Sequence, residues 1–233
     1  MRRRYKAVEV SDAAGGFAVT LDAKPMRTPA GHAFVAPTRA LADAVAEEWR
    51  AQGEKIHPRS MPMTQFVATA LDRVPLDRDR IVGDLAAFAD TDLLCHWAAD
   101  SEWLLKRQAE QWQPLLDWAK AALGARFALA SGIMPVDQPP ETLAAIRRRV
   151  AALDDFALVA MQSLAGSTGS IVLAFAVAEG RLSAEDAHRL SRLDEDYQIE
   201  RWGEDYEAAD RREAVHADML AAARLLALVR VRH

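Results

Sequence analysis

Cysteine is nearly absent from this 233-residue chain, and asparagine is absent altogether. The single thiol, Cys95, excludes an intramolecular disulfide and a cysteine-based zinc site, as expected for a reducing compartment. Long apolar runs are missing too. The longest, Ile171 to Ala178, falls far short of the roughly 20 residues that a spanning helix needs. Met1-Arg2-Arg3-Arg4 is basic, but Tyr5 to Val10 alternates polar and apolar residues instead of forming the apolar stretch of a signal peptide. Nor is there an excess of positive charge. The net charge is -5, which makes the chain a poor candidate for sequence-independent nucleic-acid binding, since that needs a net basic surface. Scarce lysine beside abundant alanine and arginine fits a GC-rich genome, so Arg147-Arg148-Arg149 reads as a solvated helix face before an anion site.

Local catalytic signatures are also missing. The chain has no GxxxxGK[ST] phosphate loop, no GxGxxG after a strand, no HExxH, no CxxC and no GxSxG elbow. Its six histidines never fall at the close spacing of a local metal site. Two segments are the nearest approach to chemistry. Cys95-His96 could pair a thiol nucleophile with a base, but leucines before it and Trp97 after it favour a buried thiol acting as a small hydrophobe. Gly166-Ser167-Thr168-Gly169-Ser170 could cradle an anion at a helix start. With no basic residue close by, a cap joining two core helices is favoured.

What is present is a folded composition, 51% hydrophobic and 27% charged. Tyr5 to Val10 and Phe17 to Leu21 alternate like strands around a Gly15-Gly16 turn, and His32 to Val35 is a further strand candidate. At Thr38 the period changes. Leu41, Val45 and Trp49 share one helical face, and Gly53 is the expected C-terminal cap. Helices are expected over Met63–Val74 (stopped by Pro75), Asp77–Ala89, Ser101–Leu123 (kinked or divided by Pro114), from Pro139-Pro140 to Leu153, and from an Asp154 or Asp155 cap onward. Ser170 caps the apolar Ile171–Ala178 helix. Ser183 opens a last helical stretch to about Val229, with Gly203 its one weak point. The expected fold class is α+β: a small antiparallel β-rich N-terminal domain with one helix, residues 1–60, followed by a larger all-helical domain, residues 61–233.

The segment Leu190 to Tyr206 carries two apolar stripes. On an unbroken helix Leu190, Leu193 and Tyr197 share one face, while Glu195, Ile199, Trp202 and Tyr206 share the opposite one. Such a helix either buries both stripes or buries one and offers the other. An acid among large aromatics has the composition of a binding hot spot, and further acids surround it. Composition by itself favours a central helix packed on both sides.

An ordered set of motifs runs along nearly the whole chain. It comprises Arg4-Tyr5, the run Val19-Thr20-Leu21-Asp22-Ala23-Lys24-Pro25 through Thr28-Pro29, Glu48-Trp49 with Gln52, and Met61-Pro62-Met63-Thr64. Thr69-Ala70-Leu71-Asp72, Asp90-Thr91-Asp92-Leu93-Leu94-Cys95, Gln111 to Trp118, Gly132-Ile133, Tyr197-Gln198 and Trp202-Gly203 complete it. This set resembles the family of assembly chaperones for the F(1) part of ATP synthase, whose members bind the free α subunit. Ala23 stands where that family usually has glycine, and His96-Trp97 replaces a usual Tyr-Arg pair.

The resemblance implies an ATP-independent chaperone and not an enzyme. It implies no cofactor or metal, the α subunit as partner, and a role for acidic residues of the last helical region in holding the client, which fits Glu195 and its neighbours; the outer stripe supplies the expected client surface of Glu195, Gln198, Ile199, Trp202 and Tyr206. Because the match begins at Arg4 or Tyr5, the expected location is the bacterial cytoplasm, or the mitochondrial matrix for a mature eukaryotic form. The rival expectations are a small-molecule binder or enzyme with a pocket near Cys95 and His96, and a structural subunit retained in the finished complex.

Overall fold

The structure, a computed structural model, describes residues 2–132, 136–203 and 206–230, with the backbone alone at 206–210. The chain forms two compact units. The first comprises Met1–Arg78, Asp154–Ala160 and Arg224–His233, the second Asp79–Leu153 and Met161–Ala223.

The first unit is built on β1 (Val8–Ala13) and β2 (Gly16–Leu21), an antiparallel hairpin in the register Val8↔Leu21 to Ala13↔Gly16. The other edge of β2 is shared by β3 (Lys24–Pro25) and β4 (Val35–Ala36). Glycine is required at position 16, because a Cβ there would lie 2.1 Å from the Ala36 carbonyl oxygen. The β2–β3 turn places Asp22 and Ala23 at φ 49° and 63°, the left-handed region that suits a two-residue hairpin turn. The Asp22 carboxylate steadies it by accepting from the backbone N–H groups of Lys6 (2.9 Å) and Ala7 (2.8 Å).

Thr38 caps α1 (Arg39–Arg50) by accepting from Leu41 N, and Leu41 and Val45 are buried. The helix ends at Ala51 in a right-handed conformation, so the expected cap at Gly53 lies beyond it. The expected domain boundary after residue 60 falls inside this unit. There the Glu48 carboxylate of α1 accepts from Met63 N (2.7 Å), Thr64 N (2.8 Å) and the Thr64 hydroxyl (2.7 Å), fastening the start of α2 (Pro62–Asp72).

Pro75 does not merely stop α2. It lies in the first turn of α3 (Val74–Ala86), where its missing N–H has no intrahelical partner to lose. The backbone leaves helical geometry at Asp77, φ -123°, and recovers. In the second unit Ser101 caps α4 (Glu102–Trp118), which runs through Pro114 undivided and widens into a π-helical turn at Ala119–Leu123. It is followed by α5 (Pro140–Ala151) and α6 (Asp155–Thr168), the latter capped by Asp154 accepting from Ala157 N. Ser170 caps α7 (Ile171–Ala178), all eight of whose residues are buried. The larger part is helical apart from a short parallel pairing of β5 (His96–Trp97) with β6 (Ala130–Ser131), which the sequence patterns do not announce.

The final stretch is not one helix. It divides into α8 (Ala184–Ser191), α9 (Leu193–Trp202) and α10 (Tyr206–Arg230), with breaks at Arg192 and Gly203. Among the described residues no helix is long and apolar enough to cross a membrane, and no group of histidines, cysteines and acids could hold a metal ion.

Candidate partner-binding surface

The break at Arg192 sets how α9 is presented. Its inner face is fixed to α4. Leu193 and Tyr197 are buried, the Tyr197 hydroxyl lies 2.9 Å from Ser101 Oγ, and Gln108 Nε2 donates to Asp194 at 2.8 Å. Arg107 adds an ion pair to Glu200 at 3.0 Å, and Trp112 Nε1 donates to the Leu190 carbonyl at the end of α8. Of the two apolar stripes, the one carrying Leu190, Leu193 and Tyr197 is therefore the buried one.

The outer stripe is offered. Glu195 and Gln198 are exposed, Ile199 is half-buried, and Trp202 is 75% exposed. These four line a shallow groove of about 450 Å³ together with Arg192, Gly203 and Arg212. Glu195 pairs with Arg192, three residues before it. With Asp194 and Asp196 it also places negative charge in the first turn of α9, where the helix dipole welcomes it. Gly203 at φ 87° ends α9, so the spacing of four no longer carries from Trp202 to Tyr206, whose side chain lies outside the described residues.

The two chemical candidates resolve differently. Cys95 is fully buried, and desolvation, reinforced by the charge of Asp92, pushes its thiol up, so no thiolate is available as a nucleophile. His96 beside it is exposed. The Gly166–Ser170 segment does receive an anion, but an internal one. The fully buried Asp92 carboxylate accepts from Ser170 Oγ (2.7 Å) and Val172 N (3.1 Å) at the start of α7, and from its own Leu94 N (3.0 Å). Burial pushes its carboxyl up to about 6 against the pull of those donors.

Comparison with known proteins decides among the remaining possibilities. The family model of the ATP12 chaperone protein matches residues 2–120. The chain belongs to the ATP12 chaperone family. The crystal structure of Atp12 from Paracoccus denitrificans superposes with a TM-score of 0.95 at 41% identity, covering 98% of both chains. The Atu1473 protein of Agrobacterium tumefaciens gives 0.94 at 45% identity, covering 98% of this chain and 86% of that one. Protein atp12, mitochondrial, of Schizosaccharomyces pombe is 27% identical over 214 residues, 87% of this chain and 74% of that protein. As an ATP12 family member the protein is a chaperone in ATP synthase assembly and not an enzyme.

Sequence spacing finds the outer stripe of this ATP12-family chaperone but misses what adjoins it. Trp103, half exposed at the start of α4, stacks on Tyr197 with ring centroids 5.3 Å apart. The guanidinium of Arg107 lies over Trp103 and that of Arg201 over Tyr197. The signal for Trp103 was a large aromatic in the polar first turn of a helix, but its neighbour on α9 lies 94 residues away in sequence.

Proposed function

We propose that this chaperone captures the free α subunit of F(1) ATP synthase through the outer face of α9, with Glu195, Gln198, Ile199 and Trp202 in contact with the client and Tyr206 beside them. The observation that carries this reading is Trp202, three-quarters exposed at the end of α9 above a groove lined by the other three. A tryptophan exposed beside a groove is the residue type most enriched in binding hot spots. A free α subunit has the complementary need, because the surface that β will cover is exposed before assembly and drives aggregation.

Capture requires no nucleotide. Binding lowers the free concentration of the aggregating form by mass action, and the later subunit interface displaces the chaperone by being tighter. The protein would act where α is folded, the cytoplasm of a bacterium or the mitochondrial matrix.

The experiment is size-exclusion chromatography of the chaperone with purified α, before and after β is added. Co-elution that β disrupts supports capture and competitive release, whereas no complex at tens of micromolar, about the weak end for transient interfaces, rejects the α-client reading. Glu195→Lys should weaken the complex, because it removes an acid from the groove and sets a third cation beside Arg192 and Arg212. Unchanged capture by that variant would remove Glu195 from the contact.

A further inference from the structure

Charge is divided unevenly between the two units. The first holds 15 lysines and arginines against 11 aspartates and glutamates, the second 14 against 23. Within the first unit, cations gather where the N-terminal arm, residues 2–6, lies along the end of α1 and the turn that follows it. Arg3 N donates to the Glu54 carbonyl at 2.9 Å, and Arg2 forms an antiparallel bridge with Lys55. The Tyr5 hydroxyl donates to the Trp49 carbonyl at 2.7 Å. Buried Gln52 ties the turn down. Its Oε1 accepts from His57 N at 2.8 Å, its Nε2 donates to the Glu48 carbonyl at 3.0 Å, and its carbonyl accepts from the Arg3 guanidinium.

Among the described residues Arg2, Arg4, Lys55 and Arg59 are exposed at this junction and form no ion pair. Lys6 adds a fifth exposed cation, beside Asp22. Arg3 and Arg50 are turned onto the carbonyls of Gln52 and Val8. Glu54 is the one acid on residues 2–6 and 50–60. The acids of α1 nearby are engaged elsewhere, Glu47 with Arg224 and Glu48 with the start of α2. The Arg2–Lys55 bridge therefore sets like charges opposite each other, a pairing that lowers stability and that no ion pair offsets.

Apolar residues of these segments point inward. Tyr5 and Ile56 are buried, and no aromatic or large aliphatic side chain is exposed there. The surface thus lacks the aromatic anchor of a protein hot spot and the stacking platform of a single-strand binder. Flexible cations without an anchor suit a field of anionic headgroups, where each lysine or arginine adds about fivefold in affinity.

We infer that this junction docks the chaperone reversibly on an anionic lipid bilayer. The contact is peripheral and electrostatic, so salt screens it over about 10 Å at ~0.1 M. The acid excess of the second unit is repelled by the same surface, which confines the contact to the first unit. The proposal stands apart from the α-client reading, since the junction shares no residue with α9.

The test is co-sedimentation of the full chain with vesicles of phosphatidylcholine, alone or with about one-quarter phosphatidylglycerol. Binding is expected on the anionic vesicles only, and should fall steeply as salt is raised. Arg2→Gln with Lys55→Gln should weaken it about 25-fold, two charges at about fivefold each. The melting temperature should hold or rise, because the opposed charges are gone. Arg4→Gln with Arg59→Gln should weaken binding equally without touching the bridge. Lys106→Gln with Lys120→Gln removes as much charge from the second unit and should change binding far less. Equal loss from all three pairs would overturn the assignment, as would anionic vesicles that bind no better than neutral ones. Tighter binding to a DNA duplex at equal phosphate concentration would overturn it in favour of nucleic acid.

Discussion

Two sets of carboxylates in this protein are put to opposite uses. Glu48, Asp22 and Asp92 are turned toward backbone N–H groups of other segments. Glu48 holds the start of α2, Asp22 holds the approach to β1, and Asp92 holds the start of α7. On α9 the acids face the other way. Glu195 is exposed beside the groove and pairs with Arg192, Glu200 pairs with Arg107, and Asp194 accepts from the neutral Gln108. In the first set Glu48 and Asp92 answer donors at partly or fully buried positions and Asp22 answers two exposed ones, and each contact ties two segments together. The second set leaves charge and aromatic surface available, which contributes little to stability and is suited to a partner. Chemical type is the same in both sets. The identity of the donor decides which task each acid performs.

The comparison breaks most visibly at Asp92. Asp92→Ala strands Ser170 Oγ, Val172 N and Leu94 N in a fully buried place, and α7 loses the anion at its N-terminus. A loss of about 3 kcal/mol or more is expected, read as the urea midpoint. The fraction that remains folded should still capture α. A variant that kept its stability would show that the Asp92 contacts are incidental.

The same residue supplies a pH dependence with a definite sign. Its carboxyl is pushed up to about 6 from an ordinary 3.8, so between those values the folded protein holds a proton that the unfolded chain has released. Its contribution is fully present below about pH 3.8 and is lost as the pH rises through about 6, up to ~3 kcal/mol in all. Asp92→Asn cannot titrate, so the stability difference between wild type and this variant should shift in the variant's favour from pH 4 to pH 7. A difference that is flat across that range would mean that Asp92 is ionised throughout. In that case the Ser170, Val172 and Leu94 donors would outweigh burial.

Removing an α9 side chain should do the reverse. Trp202→Ala takes away a three-quarters exposed ring, so its effect on the denaturation midpoint should stay within ~0.5 kcal/mol. Capture of α should fall by about tenfold, ~1.4 kcal/mol. Equal loss of stability and capture would show that Trp202 supports the fold, and would dissolve the division between the two sets.

Much of this was legible in the sequence wherever the signal was short-range. The caps at Thr38, Ser101, Ser170 and Ser183 each serve an N–H three residues on, and all four form. The stripe of Glu195, Ile199 and Trp202 follows from helical spacing, and the structure lays it along one groove. The break at Arg192 was not legible, since neither glycine nor proline marks it. Gly203 did mark a weak point, and α9 ends there. Asp92 and Ser170 stand 78 residues apart, Gln108 and Asp194 86, so no local pattern announces either pair. Nor does the sequence reveal that α4 passes undivided through Pro114.

Asp22 offers the smallest and cleanest test of the inward-facing set. It steadies a turn that contains a strained neighbour. Ala23 sits at φ 63°, where a Cβ crowds the following carbonyl oxygen. Ala23→Gly relieves that crowding but gives the unfolded chain more freedom, so the net gain should be modest, about 0.5 kcal/mol. Capture of α should not change, because the turn shares no residue with α9 or its groove. The converse variant, Asp22→Ala, removes the acceptor of Lys6 N and Ala7 N and leaves two adjacent alanines in the left-handed region. It should lower the denaturation midpoint. If Ala23→Gly destabilised instead, the strain at position 23 would be smaller than the entropy it saves, and Asp22 would be holding a turn that needs no holding.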